Sequence, residues 1–302
     1  MTARPDPAPT TTSEGTVTAP LGGFIGRDQS VTLFWYRTDP SDGAGRTLLL
    51  IGGLGSPSVS YEDGFVDEFV KRGCSVVRFD NRDVGRSSRI DQPGDGRAAY
   101  DLADMANDAV AVLDAVGWDR ADVLGQSMGG MIAQQLAVDH PHRVRSLVSL
   151  MSSTGNPNYG RATPEAYQGL LRPAPPEEPA WLDHRVETER LWASPGMWDP
   201  DRVRAKGQAL LDHGIDVDGA NRQYQAIVAS GNRDGALETV AAPTLVIHGS
   251  ADTLIQPDGG RHTADVIPNA VYLEIDGLGH DLPPEFWDRL ATEVTTFIAR
   301  VW

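Results

Sequence analysis

Ser127 stands in Gly125-Gln-Ser-Met-Gly129, a G-x-S-x-G pattern that suits a nucleophile. The small flanking residues let a strand turn sharply into a helix, which projects the hydroxyl and aims the first helical N–H groups at a developing oxyanion. A serine hydroxyl is weakly nucleophilic at neutral pH, so it needs a histidine base, and that base needs an orienting carboxylate. Behind an elbow of this kind the acid comes next in the chain and the histidine last. His248-Gly-Ser-Ala-Asp252 and Gly277-Leu-Gly-His280-Asp281 each follow a predicted strand, in loops where sites on parallel sheets gather. The strand ending near Leu150 offers another place for an acid, but Met151-Ser-Ser153 holds no carboxylate. The expected set is therefore Ser127, Asp252 and His280. Asp281 points elsewhere if the His280 ring faces Ser127, and His248, at a strand end, reads as structural. A tetrahedral oxyanion needs two donors, and Ile51-Gly-Gly-Leu-Gly-Ser56 occupies the loop that supplies the second. Backbone N–H groups of Leu54 and Met128 are the expected pair.

Around these residues the sequence reads as alternating strands and helices. Val31 to Tyr36, Thr47 to Ile51, Ser75 to Phe79, Ala121 to Leu124 and Ser146 to Leu150 are short apolar or β-branched runs bounded by turn formers. Tyr100 to Val116 carries apolar residues at helical spacing, with Asp101 placed to cap its start and Gly117 its end. Two further strands, Pro243 to His248 and Ala270 to Ile275, precede a closing helix at Pro284 to Arg300. Strands buried on both faces and interleaved with helices predict an α/β fold with a mostly parallel sheet. The alternation stops between Thr154 and Asp234, where eight of the chain's 21 prolines lie between Gly155 and Pro200. The expected organisation is a disordered tail over 1–20, a core over 21–153, an inserted helical lid over 154–234, and the rest of the core over 235–302. Lid aromatics suit a pocket for an apolar group, and Trp181, Trp192 and Trp198 are the candidate substrate-binding residues.

The chain has 302 residues, with 26 Lys and Arg against 42 Asp and Glu, a formal charge of −16. That balance disfavours nucleic acid and anionic membrane surfaces and leaves a small molecule as the expected partner. A single cysteine, Cys74, permits no internal disulfide and no cysteine-based metal cluster. With no apolar segment of signal-peptide type and no run of 18 apolar residues, a cytoplasmic location is expected. Oligomeric state is not legible.

Four motifs together resemble the α/β-hydrolase superfamily from about Gly22 onward. They are Gly52-Gly-Leu-Gly-Ser56, Phe79-Asp-Asn-Arg-Asp-Val-Gly-Arg-Ser-Ser88, the elbow Gly125 to Gly130, and His248-Gly-Ser-Ala-Asp252 with Gly279-His280. The version here is similar to bacterial carboxylesterases of the lipase/esterase type and to anthracycline methyl-ester hydrolases. The resemblance implies an α/β-hydrolase fold, carboxylic ester hydrolysis through an acyl-enzyme on Ser127, and no cofactor or metal. It also implies that Asp80-Asn-Arg82-Asp83 is a structural turn beside the elbow. Many members have His-Gly where this chain has Gly52-Gly53. An acyltransferase or thioesterase would use the same catalytic residues. A cofactor-free perhydrolase, a C–C bond hydrolase or a non-catalytic small-molecule-binding protein would also fit the superfamily.

Overall fold

The computed structural model describes residues 10–20, 30–41, 43, 45–91, 93–94 and 96–301. In chain order the elements are β1 (Thr11–Pro20), β2 (Ser30–Asp39), β3 (Arg46–Ile51), α1 (Asp63–Val70), β4 (Cys74–Phe79), α2 (Leu102–Ala115), β5 (Ala121–Gln126), α3 (Met128–Asp139) and β6 (Val144–Leu150). Five helices follow without a strand between them: α4 (Pro164–Leu171), α5 (Glu178–Glu189), α6 (Pro200–His213), α7 (Val217–Ser230) and α8 (Asp234–Leu237). The chain then returns to the sheet through β7 (Thr244–Gly249), α9 (Pro257–Val266), β8 (Val271–Ile275) and α10 (Trp287–Arg300). Strand order is β1-β2-β4-β3-β5-β6-β7-β8. β2 runs antiparallel to β1 and β4, and the pairings from β4 through β8 are parallel.

Alternation along the buried strands supplies two cores. Leu49 and Ile51 of β3 face α2 and α3, where Met105, Ala109, Val112, Ile132 and Leu136 are fully buried. Leu48 and Leu50 face the opposite way, toward Phe65 and Phe69 of α1 and Val294 and Ile298 of α10. Each such side chain removed from water contributes about 1.5–3 kcal/mol, which is what holds helices on both faces. α2 begins as the sequence foretells, with the Asp101 carboxylate accepting from the N–H groups of Ala103 and Asp104. Gly117 lies just past its end with φ 72°. Among the described residues no helix is long and apolar enough to cross a membrane.

The expected tail is corrected by β1. Residues 11–20 pair antiparallel with β2 along its length, from Thr11 opposite Asp39 to Pro20 opposite Ser30. Thr11, Thr12, Thr16, Val17 and Thr18 are β-branched, so the segment suits a strand despite the prolines upstream. Gly15 leaves room for the Trp35 indole, which a Cβ there would approach to 2.6 Å. Residues 1–9 of that expected tail lie outside the described residues. Helices α1 and α9 are not foreseen from the sequence: α1 spans only eight residues, and α9 carries Gly259 and Gly260 in its first turn.

Candidate active site

The parallel strands β3, β5, β7 and β8 deliver the loops after Ile51, Gln126, Gly249 and Ile275 to one edge of the sheet. Ser127 lies between β5 and α3 with φ 56° and ψ −121°, a conformation that side-chain-bearing residues adopt only under restraint. The restraint is visible. Ser127 N–H donates to Leu150 O at 2.9 Å, and its carbonyl accepts from Gly130 N–H at 2.9 Å and Ser152 Oγ at 2.8 Å. Glycine is required on both sides because the backbones touch: a Cβ on Gly125 would lie 2.0 Å from Gly129 O, and one on Gly129 2.0 Å from Ile51 O.

His280 Nε2 lies 3.0 Å from Ser127 Oγ, and its Nδ1 lies 2.6 Å from Asp252 Oδ2. A carboxylate only accepts, so Nδ1 carries the proton, and in the neutral ring Nε2 is left to accept from the serine hydroxyl. Asp252 is further engaged: Oδ1 accepts the N–H groups of Leu254 and Ile255, both at 2.9 Å. His248 Nε2 donates to Ile255 O at 2.7 Å and stands 3.2 Å from Asp252 Oδ2. Burial alone would push the Asp252 carboxyl up, but the charge of His280 and the hydrogen bonds from both histidines outweigh it and hold it at about 2. Sequence reasoning treats His248 as structural and misses this link to Asp252, although a spacing of four is its signal.

The His280 loop is tied to the helical segment between β6 and β7. His280 N–H donates to Trp192 O at 2.7 Å, and Gly279 N–H donates to Ser194 Oγ at 2.8 Å. Ser194 in turn donates from N and Oγ to Asp281 Oδ1, so Asp281 does turn away from Ser127. Burial raises the Asp281 pKa, partly offset by those two bonds. Thr253 Oγ1 donates to Leu191 O at 2.7 Å, which joins the same segment to the Asp252 loop. Nothing in the sequence signals these contacts, since Leu191 and Trp192 act through main-chain carbonyls.

The loop after β3 lies against the nucleophile, where a Cβ on Gly53 would come within 3.4 Å of Ser127 Cβ. Met128 opens α3, and among the described residues neither its amide N–H nor that of Leu54 has a protein acceptor. The three tryptophans are dispersed. Trp181 packs with Leu182 and Leu210 between α5 and α6, under the Arg185 guanidinium. Trp198 lines a cavity of about 20 Å³ with Lys206, Asp281 and Leu282. Trp192, through its carbonyl, is the one bonded to the His280 loop.

Asp80-Asn-Arg82-Asp83 is fully buried and consumed by structure. Asp80 accepts from Ser58, Arg86 N–H and His213; Arg82 forms a two-pronged pair with Asp108; Asp83 accepts from Tyr100, Ile90 N–H and Arg222. Among the described residues no group of three His, Cys, Asp or Glu side chains could hold a metal ion.

Known proteins agree with this architecture. The rhodomycin D methylesterase of Streptomyces peucetius is 32% identical over 279 residues, covering 85% of this chain and 91% of the relative. A thermophilic esterase from Thermogutta terrifontis superposes with a TM-score of 0.73 at 19% identity, over 96% of this chain and 99% of that one. The 2-hydroxy-6-oxo-6-phenylhexa-2,4-dienoate hydrolase of Rhodococcus sp. strain RHA1 gives 0.74 at 16% identity, over 96% and 100%. A family model described as the alpha/beta hydrolase fold matches residues 46–285, and the chain belongs to that family.

Proposed function

We propose that this protein is a serine hydrolase that cleaves a carboxylic ester through an acyl-enzyme on Ser127. The observation that carries the reading is the hydrogen-bonded chain from Ser127 Oγ through His280 to Asp252, at 3.0 and 2.6 Å, on the loops that follow β5, β8 and β7. In the mechanism, Ser127 attacks the ester carbonyl while His280 Nε2 takes its proton. Asp252 keeps the proton on Nδ1 and stabilises the imidazolium, remaining ionised itself. His280 then gives the proton to the departing alkoxide, and the acyl group stays on Ser127. Water activated by the same histidine releases the acid. The amides of Leu54 and Met128 receive the oxyanion in both tetrahedral stages.

For the substrate, the 32% identity to a rhodomycin D methylesterase supports a methyl ester. The C–C bond hydrolase reading has only fold likeness behind it, at 16% identity. The segment 154–234 serves as a lid, with Trp192 bounding the pocket beside His280 and Trp181 and Trp198 packing the lid itself. The single cysteine, Cys74, suits the reducing cytoplasm we assign.

Hydrolysis of p-nitrophenyl esters from acetate to octanoate and of aromatic methyl esters, compared between the wild type and Ser127→Ala, tests the reading. The expected result is turnover by the wild type and a loss of about a thousandfold or more in the variant. A folded variant with unchanged turnover contradicts it.

A further inference from the structure

Helix α7 reaches into the site's floor through one side chain. Gln223 is fully buried, and its amide is used at both ends: Oε1 accepts from Gly55 N–H at 2.8 Å, and Nε2 donates to Arg82 O at 2.7 Å. Those partners differ in kind, one a donor and one an acceptor. A neutral primary amide satisfies both at once; a carboxylate or a thioether of similar length does not.

What Gln223 grips is the turn Gly53-Leu54-Gly55-Ser56. Ser56 N–H donates to Gly53 O at 3.1 Å, and Gly55 has φ 63°, the positive value a type II turn needs at its third residue. Peptide planarity then fixes one further direction. With Gly53 O turned into the turn, the Leu54 N–H on the same plane points away from it. Asn81 Nδ2 holds the preceding peptide by donating to Gly52 O at 3.1 Å, and Gln223 holds the following one through Gly55 N–H. The Gly53–Leu54 peptide is thus clamped from both neighbours, once by the β4 turn and once by a helix of the segment between β6 and β7. Gly55 also lies against that helix, since a Cβ there would meet Ala220 Cβ at 3.2 Å.

We propose that Gln223 is a positioning residue for the oxyanion-binding loop, setting the aim of the Leu54 N–H from the lid. The inference rests on the serine-esterase reading above. It implies that docking of α7 and completion of the oxyanion site are one event: if α7 lifts, Gly55 N–H loses its acceptor and the Leu54 amide its fixed direction. Donors of this kind act by being held in place before charge develops, so looseness lowers the rate of the chemical step more than the binding of substrate.

The test compares the wild type with Gln223→Met, which fills the space without hydrogen bonds, and Gln223→Glu, which keeps an acceptor for Gly55 but sets an oxygen against Arg82 O. Turnover of p-nitrophenyl butyrate is measured together with the affinity of phenylethylboronic acid, whose serine adduct is tetrahedral, and of butyramide, a ground-state competitor. The expected result is a kcat lower by about tenfold or more in both variants, below the cost of about 10²–10³ for deleting a donor outright. Boronic acid affinity falls in proportion, while KM and the butyramide constant stay within about threefold. If Gln223→Met does not fold, Gln223→Glu carries the same comparison. Either kcat near the wild-type value in a folded variant, or a fall in kcat with boronic acid affinity unchanged, overturns the proposal. A wild type that neither hydrolyses the ester nor binds the boronic acid fails earlier and overturns the esterase reading itself, and the proposal with it.

Discussion

At the scale of single residues the site is set by charge and proton bookkeeping around Asp252. Burial pushes its carboxyl up, yet it is held at about 2 because the charge of His280 and the hydrogen bonds from His248 and His280 favour the charged form. An unfolded aspartate titrates near about 3.9, so the folded value is the lower one. Stability from this group is therefore present above about pH 4 and drains away as pH falls toward about 2, a contribution of about 2–3 kcal/mol. Replacing Asp252 with Asn removes that dependence. Urea unfolding at pH 5 and at pH 3 is expected to show the wild type's advantage over Asp252→Asn shrinking at the lower pH. An advantage that holds or grows there contradicts the assignment. The same variant lets the histidine take the wrong tautomer, and kcat is expected to fall by about 10⁴ with KM little changed.

At the scale of elements, the strands bring the reactive loops together and the segment between β6 and β7, above all the connection from α5 to α6, holds them there. Ser194 is the clearest case, bonded to Gly279 N–H on one side and to Asp281 on the other. Ser194→Ala leaves Gly279 N–H buried without its acceptor, a cost of about 1–3 kcal/mol. Thermal melting is expected to show a lowered midpoint and kinetics a kcat reduced by about tenfold; a variant that melts lower with wild-type kcat would make Ser194 a purely structural support. Legibility in the sequence follows the same division. Ser127, Asp252 and His280 are readable because local chain order, strand ends and glycine flanks announce them, and all three meet within hydrogen-bonding distance. β1 reads as tail because prolines at 5, 7 and 9 outweigh the β-branched residues beyond them. Gln223, Ser194 and the Trp192 carbonyl are illegible, since each works by contacting a loop distant in sequence, and a glutamine on a helix has no local pattern that predicts its partner.

At the scale of the whole molecule, the net charge of −16 governs the approach of substrate rather than the chemistry. Anionic esters are expected to be repelled and neutral ones not. Raising ionic strength from about 10 to about 150 mM shortens the screening length from about 30 to about 8 Å. kcat/KM for a hemisuccinate ester is expected to rise across that range while the value for a neutral butyrate ester stays level. Equal responses would mean that no negative field acts at the site mouth, and a fall for the hemisuccinate would mean that the field there is positive.

Whether Ser127 carries the acyl group is decided by intact-protein mass spectrometry after reaction with a fluorophosphonate, followed by peptide mapping. The expected result is a single adduct on the peptide containing Ser127, formed by the wild type and absent from Ser127→Ala, with His280→Ala labelled far more slowly. An adduct elsewhere, or none on the folded wild type, would contradict it.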